Sequence, residues 1–200
     1  MRTILPPKHR LVPSDAKKVF QGKIFDVYQW EQELYDGSTK TFEMLKRPDT
    51  VNVIAIKDGK LVILLEEQPS MGPPFYGLPG GFHDNETETE LDAAKRELRE
   101  ETGLAFRNWK LLGIVQPQAK IDWMNYLYLA TDFDSQSDTH TDPGEKIEVK
   151  YMDLAEVKAL IGHPNVRHLP SILAQVDSLD ELVQHPEYQG IKLPAAQHAE

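Results

Sequence analysis

The chain has no cysteine. That excludes disulfides, thiolate metal ligands and a cysteine nucleophile, and it accords with a cytoplasmic setting. No apolar run approaches the ~20 residues that a membrane-spanning helix needs. The opening stretch, MRTILPPKHRLVPSD, lacks the apolar region of a secretory signal. We therefore expect a cytoplasmic protein with no membrane partner. Basic residues are scarce too: 22 Lys and Arg stand against 32 Asp and Glu, a formal net charge of −10. A nucleic-acid partner would require a basic face, so none is expected. An anionic small substrate stays open, because a bound divalent cation inverts the local field. What is present suits a globular chain: 200 residues, 40% hydrophobic and 27% charged, are enough to bury a normal core.

Residues 1–16 are rich in proline and polar groups and read as an irregular arm. KKVFQGKIFDVYQWEQEL and KTFEMLKR are β-prone runs on either side of Asp36-Gly37, a hairpin signal. VNVIAI and LVILLEEQ repeat the pattern around the turn Lys57-Asp58-Gly59-Lys60. Their continuous apolar character predicts at least one strand buried on both faces. A loop dense in Gly and Pro follows, PSMGPPFYGLPGGFHDN. After it a helix is expected, then strands at WKLLGIVQPQ and WMNYLYLATDF around a short loop AKID. The polar DSQSDTHTDPGEK reads as a loop, IEVKYMDL as a strand, and DLAEVKALIG as a helix. HLPSILAQVDSLDELVQ reads as one or two more helices, and EYQGIKLPAAQHAE as a frayed end. Strands before and after a central helix indicate a mixed α/β or α+β layer fold.

The helix carries the chemistry. In GGFHDNETETELDAAKRELREETGLA, either Thr87 with Glu90 or Thr89 with Asp92 can cap its start. Leu91, Ala94 and Leu98 form an apolar stripe, and Gly103 stands where a helix ends. Glu97, Glu100 and Glu101 then share one face of the last two turns, beside Arg96. Like charges at that spacing cost roughly 0.2–0.5 kcal/mol per pair. The helix C-terminus disfavours anions as well. Two local violations in one place point to a functional reason, and a bound cation is the simplest.

This stretch resembles the Nudix box, G-x5-E-x7-R-E-U-x-E-E-x-G-U with U aliphatic. Glu88, seven residues, and then Arg96-Glu97-Leu98-Arg99-Glu100-Glu101-Thr102-Gly103-Leu104 match throughout. The departure lies in front: six residues, not five, separate Gly81 from Glu88. The resemblance implies a Nudix α/β/α sandwich with an N-terminal antiparallel β segment, residues 1–48 forming the arm and β segment and 49–200 the hydrolase domain. It implies Mg²⁺ as cofactor, with Mn²⁺ as the alternative, since hard cations take oxygen ligands. By resemblance, Glu97 and Glu101 are metal ligands, Glu100 assists, and the Gly80 carbonyl completes the set. The implied catalytic residues are Glu100, Glu145 and Arg96. Arg96 pairs with Glu88 to orient the helix, and Arg99 faces solvent.

The N-terminal segment is similar to that of the ADP-ribose and nucleoside-diphosphate-sugar pyrophosphatases. In those relatives it exchanges across a homodimer and contacts nucleotide, so a homodimer is expected here, with Trp30, Phe42 and Arg47 as substrate contacts. For Trp30 and Phe42 the alternative is packing in the dimer or core. Such relatives often carry Gln-x-Arg after the second core strand, whereas here Gln68 is followed by Pro69 and Ser70. In the late loop THTDPGEKIEV, Glu145 aligns best as a further ligand or base, ahead of Asp142. His83 and His140 lie in loops that could approach the site. The implied reaction is cleavage of ADP-ribose or a nucleotide sugar into NMP and a sugar phosphate. The alternatives are hydrolysis of (d)NTPs or dinucleoside polyphosphates, and a non-catalytic nucleotide sensor of the same fold.

Overall fold

The hairpin signals of the first half become paired strands. The computed structural model describes residues 2–69, 71–85, 87–141, 144–167 and 169–193. In chain order come β1 (Ile4–Leu5), β2 (Lys17–Gln21), β3 (Asp26–Glu33), β4 (Thr39–Lys46), β5 (Asp49–Lys57) and β6 (Lys60–Glu67). Next are β7 (Phe75–Gly77), β8 (Phe82–His83), α1 (Glu90–Thr102), β9 (Leu104–Val115), β10 (Ile121–Asp122) and β11 (Asn125–Gln136). β12 (Lys146–Met152), α2 (Leu154–Leu160), α3 (Ile172–Gln175), α4 (Leu179–Gln184) and β13 (Ile191–Lys192) complete the order. Asp58 and Gly59 both have positive φ, 51° and 75°, as a tight two-residue hairpin turn requires.

The main sheet runs β12-β6-β5-β11-β9, with β7 added to β6 and β8 to β5. β5 and β11 pair in parallel, and the other pairs are antiparallel. Alternation along β5 decides the layering. Val51, Val53 and Ala55 pack with Ala93, Ala94 and Leu98 of α1. Ile54 packs on the opposite face with Val157 of α2, Leu173 of α3 and Leu182 of α4. Period-2 side chains between two apolar layers give the expected α/β/α sandwich. A separate four-stranded sheet, β10-β4-β3-β2, forms the N-terminal β segment.

Three expectations need correction. AKID is not only a loop, because Ile121 and Asp122 form β10 beside Leu45 and Lys46. The arm is anchored rather than irregular throughout: Leu5 is 1% exposed, and β1 pairs with β13. The end is not frayed as far as residue 193, since Tyr188 packs on the core and donates its N–H to the Leu111 carbonyl (2.8 Å). Residues 194–200 lie outside those described. In each case a distant segment satisfies the backbone groups, so no local pattern announces the strand.

α1 begins at Thr89. The Thr89 hydroxyl accepts from the Asp92 N–H (3.2 Å) and donates to the Asp92 carboxylate (2.7 Å), which settles the choice of cap. It ends at Gly103, whose φ of 72° suits glycine and whose N–H reaches the Arg99 carbonyl (2.8 Å).

Candidate active site

The crowded carboxylates of α1 already have a counterion. Arg96 Nε and Nη2 donate to Glu88 at 3.0 and 3.3 Å. Its Nη1 donates to Glu97 (2.8 Å) and Glu100 (3.1 Å), and Nη2 also reaches the Phe82 carbonyl (2.9 Å). Burial opposes the guanidinium charge, but Glu88 and Glu97 outweigh it and hold Arg96 more firmly protonated than usual. The expected Arg96–Glu88 pair is therefore present and wider than expected, and Arg99 is exposed. The extra residue before the helix is absorbed in a turn where Asn85 Oδ1 accepts from the Thr87 N–H (3.0 Å). Glu88 still arrives at Arg96.

Glu101 has a different partner. It is 8% exposed and accepts from the Gly80 N–H (2.8 Å). Burial pushes its carboxyl well above the usual range, and Glu66, Glu97 and Glu145 push the same way. Burial also raises Glu97 despite Arg96. Gly80 is a steric necessity, whereas Gly81 faces only the far end of the Glu97 side chain. A Cβ on Gly80 would lie 2.9 Å from Asn52 Cα, and one on Gly81 would lie 2.5 Å from the carboxylate carbon of Glu97. Pro79 and Gly81 turn their carbonyls to β5, accepting from Val53 and Val51. Gly80, between them, turns its N–H to Glu101.

Glu97, Glu100, Glu101 and Glu145 line one cavity of about 210 Å³, together with Arg96, Phe82, Asp84, His140 and Thr141. Three chain segments thus converge, and Glu145 lies in the third. His140 is held at the rim by its N–H on the Glu100 carbonyl (2.8 Å). His83 is buried, and its Nε2 meets the Glu88 carbonyl (2.8 Å), a framework contact. Asp142 lies outside the described residues.

Sequence reasoning missed Glu66. It is 5% exposed at the end of β6. Gln68 Nε2 bridges it to Glu145, at 3.3 and 3.0 Å. Burial raises the Glu66 carboxyl, and Arg167, 3.8 Å away and stacked on Phe75 (4.4 Å), opposes that rise. The signal was weak: Glu66 and Glu67 adjoin, and only alternation says which one turns inward.

The expected substrate contacts are divided. Trp30 and Phe42 face each other across β3 and β4, ring centroids 6.1 Å apart, away from the carboxylate cavity. Phe42 lines instead an open groove of about 400 Å³ with Met44, Lys120 and Ile121. Arg47 lies near the carboxylates. Its guanidinium sits over Trp123 (4.5 Å), Phe82 (5.3 Å) and Phe25 (5.4 Å), and Phe82 also lines the cavity. Arg47 has no carboxylate within ion-pair distance among the described residues, and its Nε is buried without a hydrogen-bond partner.

A NUDIX domain model matches residues 46–171, more than half of the chain. The chain belongs to the NUDIX family. It is a Nudix hydrolase, of the class that acts on diphosphate bonds. It is 26% identical over 148 residues to an ADP-ribose pyrophosphatase of Bacillus subtilis (strain 168), covering 72% of this chain and 80% of the relative. It is 22% identical over 174 residues to a methanol dehydrogenase activator of Bacillus methanolicus, covering 85% and 94%. A solved ADP compounds hydrolase shares the fold with a TM-score of 0.63 at 22% identity, covering 82% of this Nudix chain and 86% of that one.

The donor set fits a hard divalent cation, being oxygen throughout. Among the described residues no three acidic side chains converge on one point. Glu97 and Glu100 face Arg96, and Glu101 faces Gly80, so binding requires Glu97 and Glu100 to turn. The Glu100 side chain, 42% exposed, has room to turn, and the Glu97 side chain, 15% exposed, turns only by leaving Arg96.

Proposed function

We propose that this Nudix hydrolase cleaves the diphosphate linkage of ADP-ribose or a nucleotide sugar, giving NMP and a sugar phosphate. The observation that carries the reading is the cavity lined by Glu97, Glu100, Glu101 and Glu145, which shares Phe82 with the Arg47 cluster. Glu97, Glu101 and the Gly80 carbonyl would hold Mg²⁺ or Mn²⁺, with Glu100 assisting. Bound there, the cation supplies charge neutralisation and water activation. The chain's own groups do the rest. Glu145, oriented by Gln68, or the half-exposed Glu100 takes the proton of the attacking water. Arg96 keeps α1 in place while its carboxylates change partners. Arg47, with donors to spare on an aromatic bed, receives an anionic oxygen of the substrate. Water adds to one phosphorus, the bridging P–O bond breaks, and the sugar phosphate and NMP leave.

A name borne by a relative supports ADP-ribose, and so does the arrangement of an arginine and aromatic rings beside a carboxylate pocket. Trp30 and Phe42 fit this reading only if a second copy brings its own β3 and β4 to the cavity, which makes a homodimer part of the proposal. The test is a panel with Mg²⁺, with and without EDTA: ADP-ribose, UDP-, GDP- and ADP-sugars, dinucleoside polyphosphates and dNTPs. Chelator-sensitive NMP release from the diphosphates supports the reading. Preference for dNTPs or dinucleoside polyphosphates replaces it, and binding without turnover turns it into a sensor.

A further inference from the structure

The reaction above uses nothing from the start of the chain, yet Arg2 is bonded to Asp49 of β5 and Asp122 of β10, which flank the Arg47 cluster. Arg2 donates through Nε (2.5 Å) and Nη2 (2.7 Å) to Asp49, and its Nη1 lies 2.6 Å from Asp122 Oδ1. The two aspartate side chains are 4% and 3% exposed. Asp49 Oδ1 also accepts the Met124 N–H (2.7 Å), and the Asp122 carbonyl accepts the Arg47 N–H (3.3 Å). Trp123 lies between Asp122 and Met124, so both of its neighbours are held by the Arg2 network. Its indole N–H donates to Thr50 Oγ1 (2.9 Å), and its ring is the nearest of the three against the Arg47 guanidinium. While Arg2 is in place, both oxygens of Asp49 are engaged.

We propose that Arg2 is a positioning residue of the active site. By bridging Asp49 and Asp122 it fixes the link between β10 and β11, holds Trp123 against Arg47, and leaves the Arg47 guanidinium without a carboxylate in ion-pair contact and open to a substrate oxygen. Without Arg2, the two buried aspartates would be the nearest anions for Arg47 to seek, and the arginine would turn inward. The inference rests on the proposed role of Arg47 in substrate binding. It predicts a defect in substrate affinity, separate from any loss of stability.

The experiment compares wild type, Arg2→Lys, Arg2→Met and Trp123→Leu in ADP-ribose hydrolysis with Mg²⁺, well below each protein's melting temperature. Arg2→Met should raise KM about tenfold and leave kcat within about twofold. Arg2→Lys, which keeps the charge and loses the fork, should fall between it and wild type. Trp123→Leu leaves the buried charges intact and should raise KM similarly, so the test survives if Arg2→Met does not fold. A lower melting temperature with KM unchanged in both Arg2→Lys and Trp123→Leu overturns the proposal and leaves Arg2 a purely structural clasp. If wild type hydrolyses nothing, the functional reading fails by itself. Calorimetric titration with ADP-ribose then decides the inference: weaker binding by Arg2→Lys supports it, and equal binding, or none by wild type, overturns it.

Discussion

Glu101 carries its charge where burial disfavours one. Its folded carboxyl lies above the ordinary 4.5, so the stability it contributes is complete below that pH and is lost as pH rises through the folded value. Glu101→Gln should therefore melt no lower than wild type in EDTA at pH 8, with the difference closing toward pH 4.5. The amide oxygen can still accept from Gly80. The same change should cut Mg²⁺-dependent turnover about a hundredfold or more, since a metal ligand is worth several kcal/mol in the transition state. Melting curves at several pH values and a turnover assay on one preparation check both. Arg96→Met is expected to behave in the opposite way. Removing one member of a buried ion pair costs about 3–5 kcal/mol, and for a side chain one-third exposed about 1–3 is reasonable. That corresponds to a lower melting temperature by about 2–4 °C per kcal/mol, readable by calorimetry. The clustering of Glu97, Glu100 and Arg96 was legible because they sit at fixed spacing on one helix. Glu66 and Gln68 were not, because their meeting with Glu145 spans 77 residues or more and only tertiary contact creates it.

At the scale of elements, Gly80 lies without clearance against β5 and Gly81 against the Glu97 side chain of α1. Gly81→Ala should displace the Glu97 carboxylate and remove most activity while circular dichroism stays native, because the clash is with the far end of a side chain. Retained turnover would show that Glu97 has room to move. Thr89→Ala should cost about 1 kcal/mol through the lost cap, measured by denaturant unfolding, with little effect on catalysis. α1 and the two hairpins were readable from the sequence because capping, 3.6-residue periodicity and Asp-Gly turns are local. β1, β10 and β13 were not. Each is two residues long and exists only because a remote strand supplies its hydrogen bonds.

For the molecule as a whole, the four-stranded sheet is the least self-sufficient part. β2 is exposed along its whole length, with Val19 at 52% and Phe20 at 60% exposure. Small sheets with an uncovered apolar face are marginal alone, and such a face marks an interface. Light scattering at micromolar concentration should give a dimer, and Phe20→Asp should shift it toward monomer. A monomeric wild type would remove the second copy from the proposal. The N-terminal β segment was visible in the sequence as a hairpin, and what covers it was not, since exposed aromatics look the same in a sequence whichever side they face.

Arg96 has one more consequence, for the order of events in a catalytic cycle. Arg96 already bonds Glu97 and Glu100, so in the proposed enzyme a cation would have to displace that arginine, and its resting affinity would be weakened by the exchange. The apoprotein can wait with its helix intact. In the proposed enzyme the cation site would then form only as Arg96 lets Glu97 and Glu100 go.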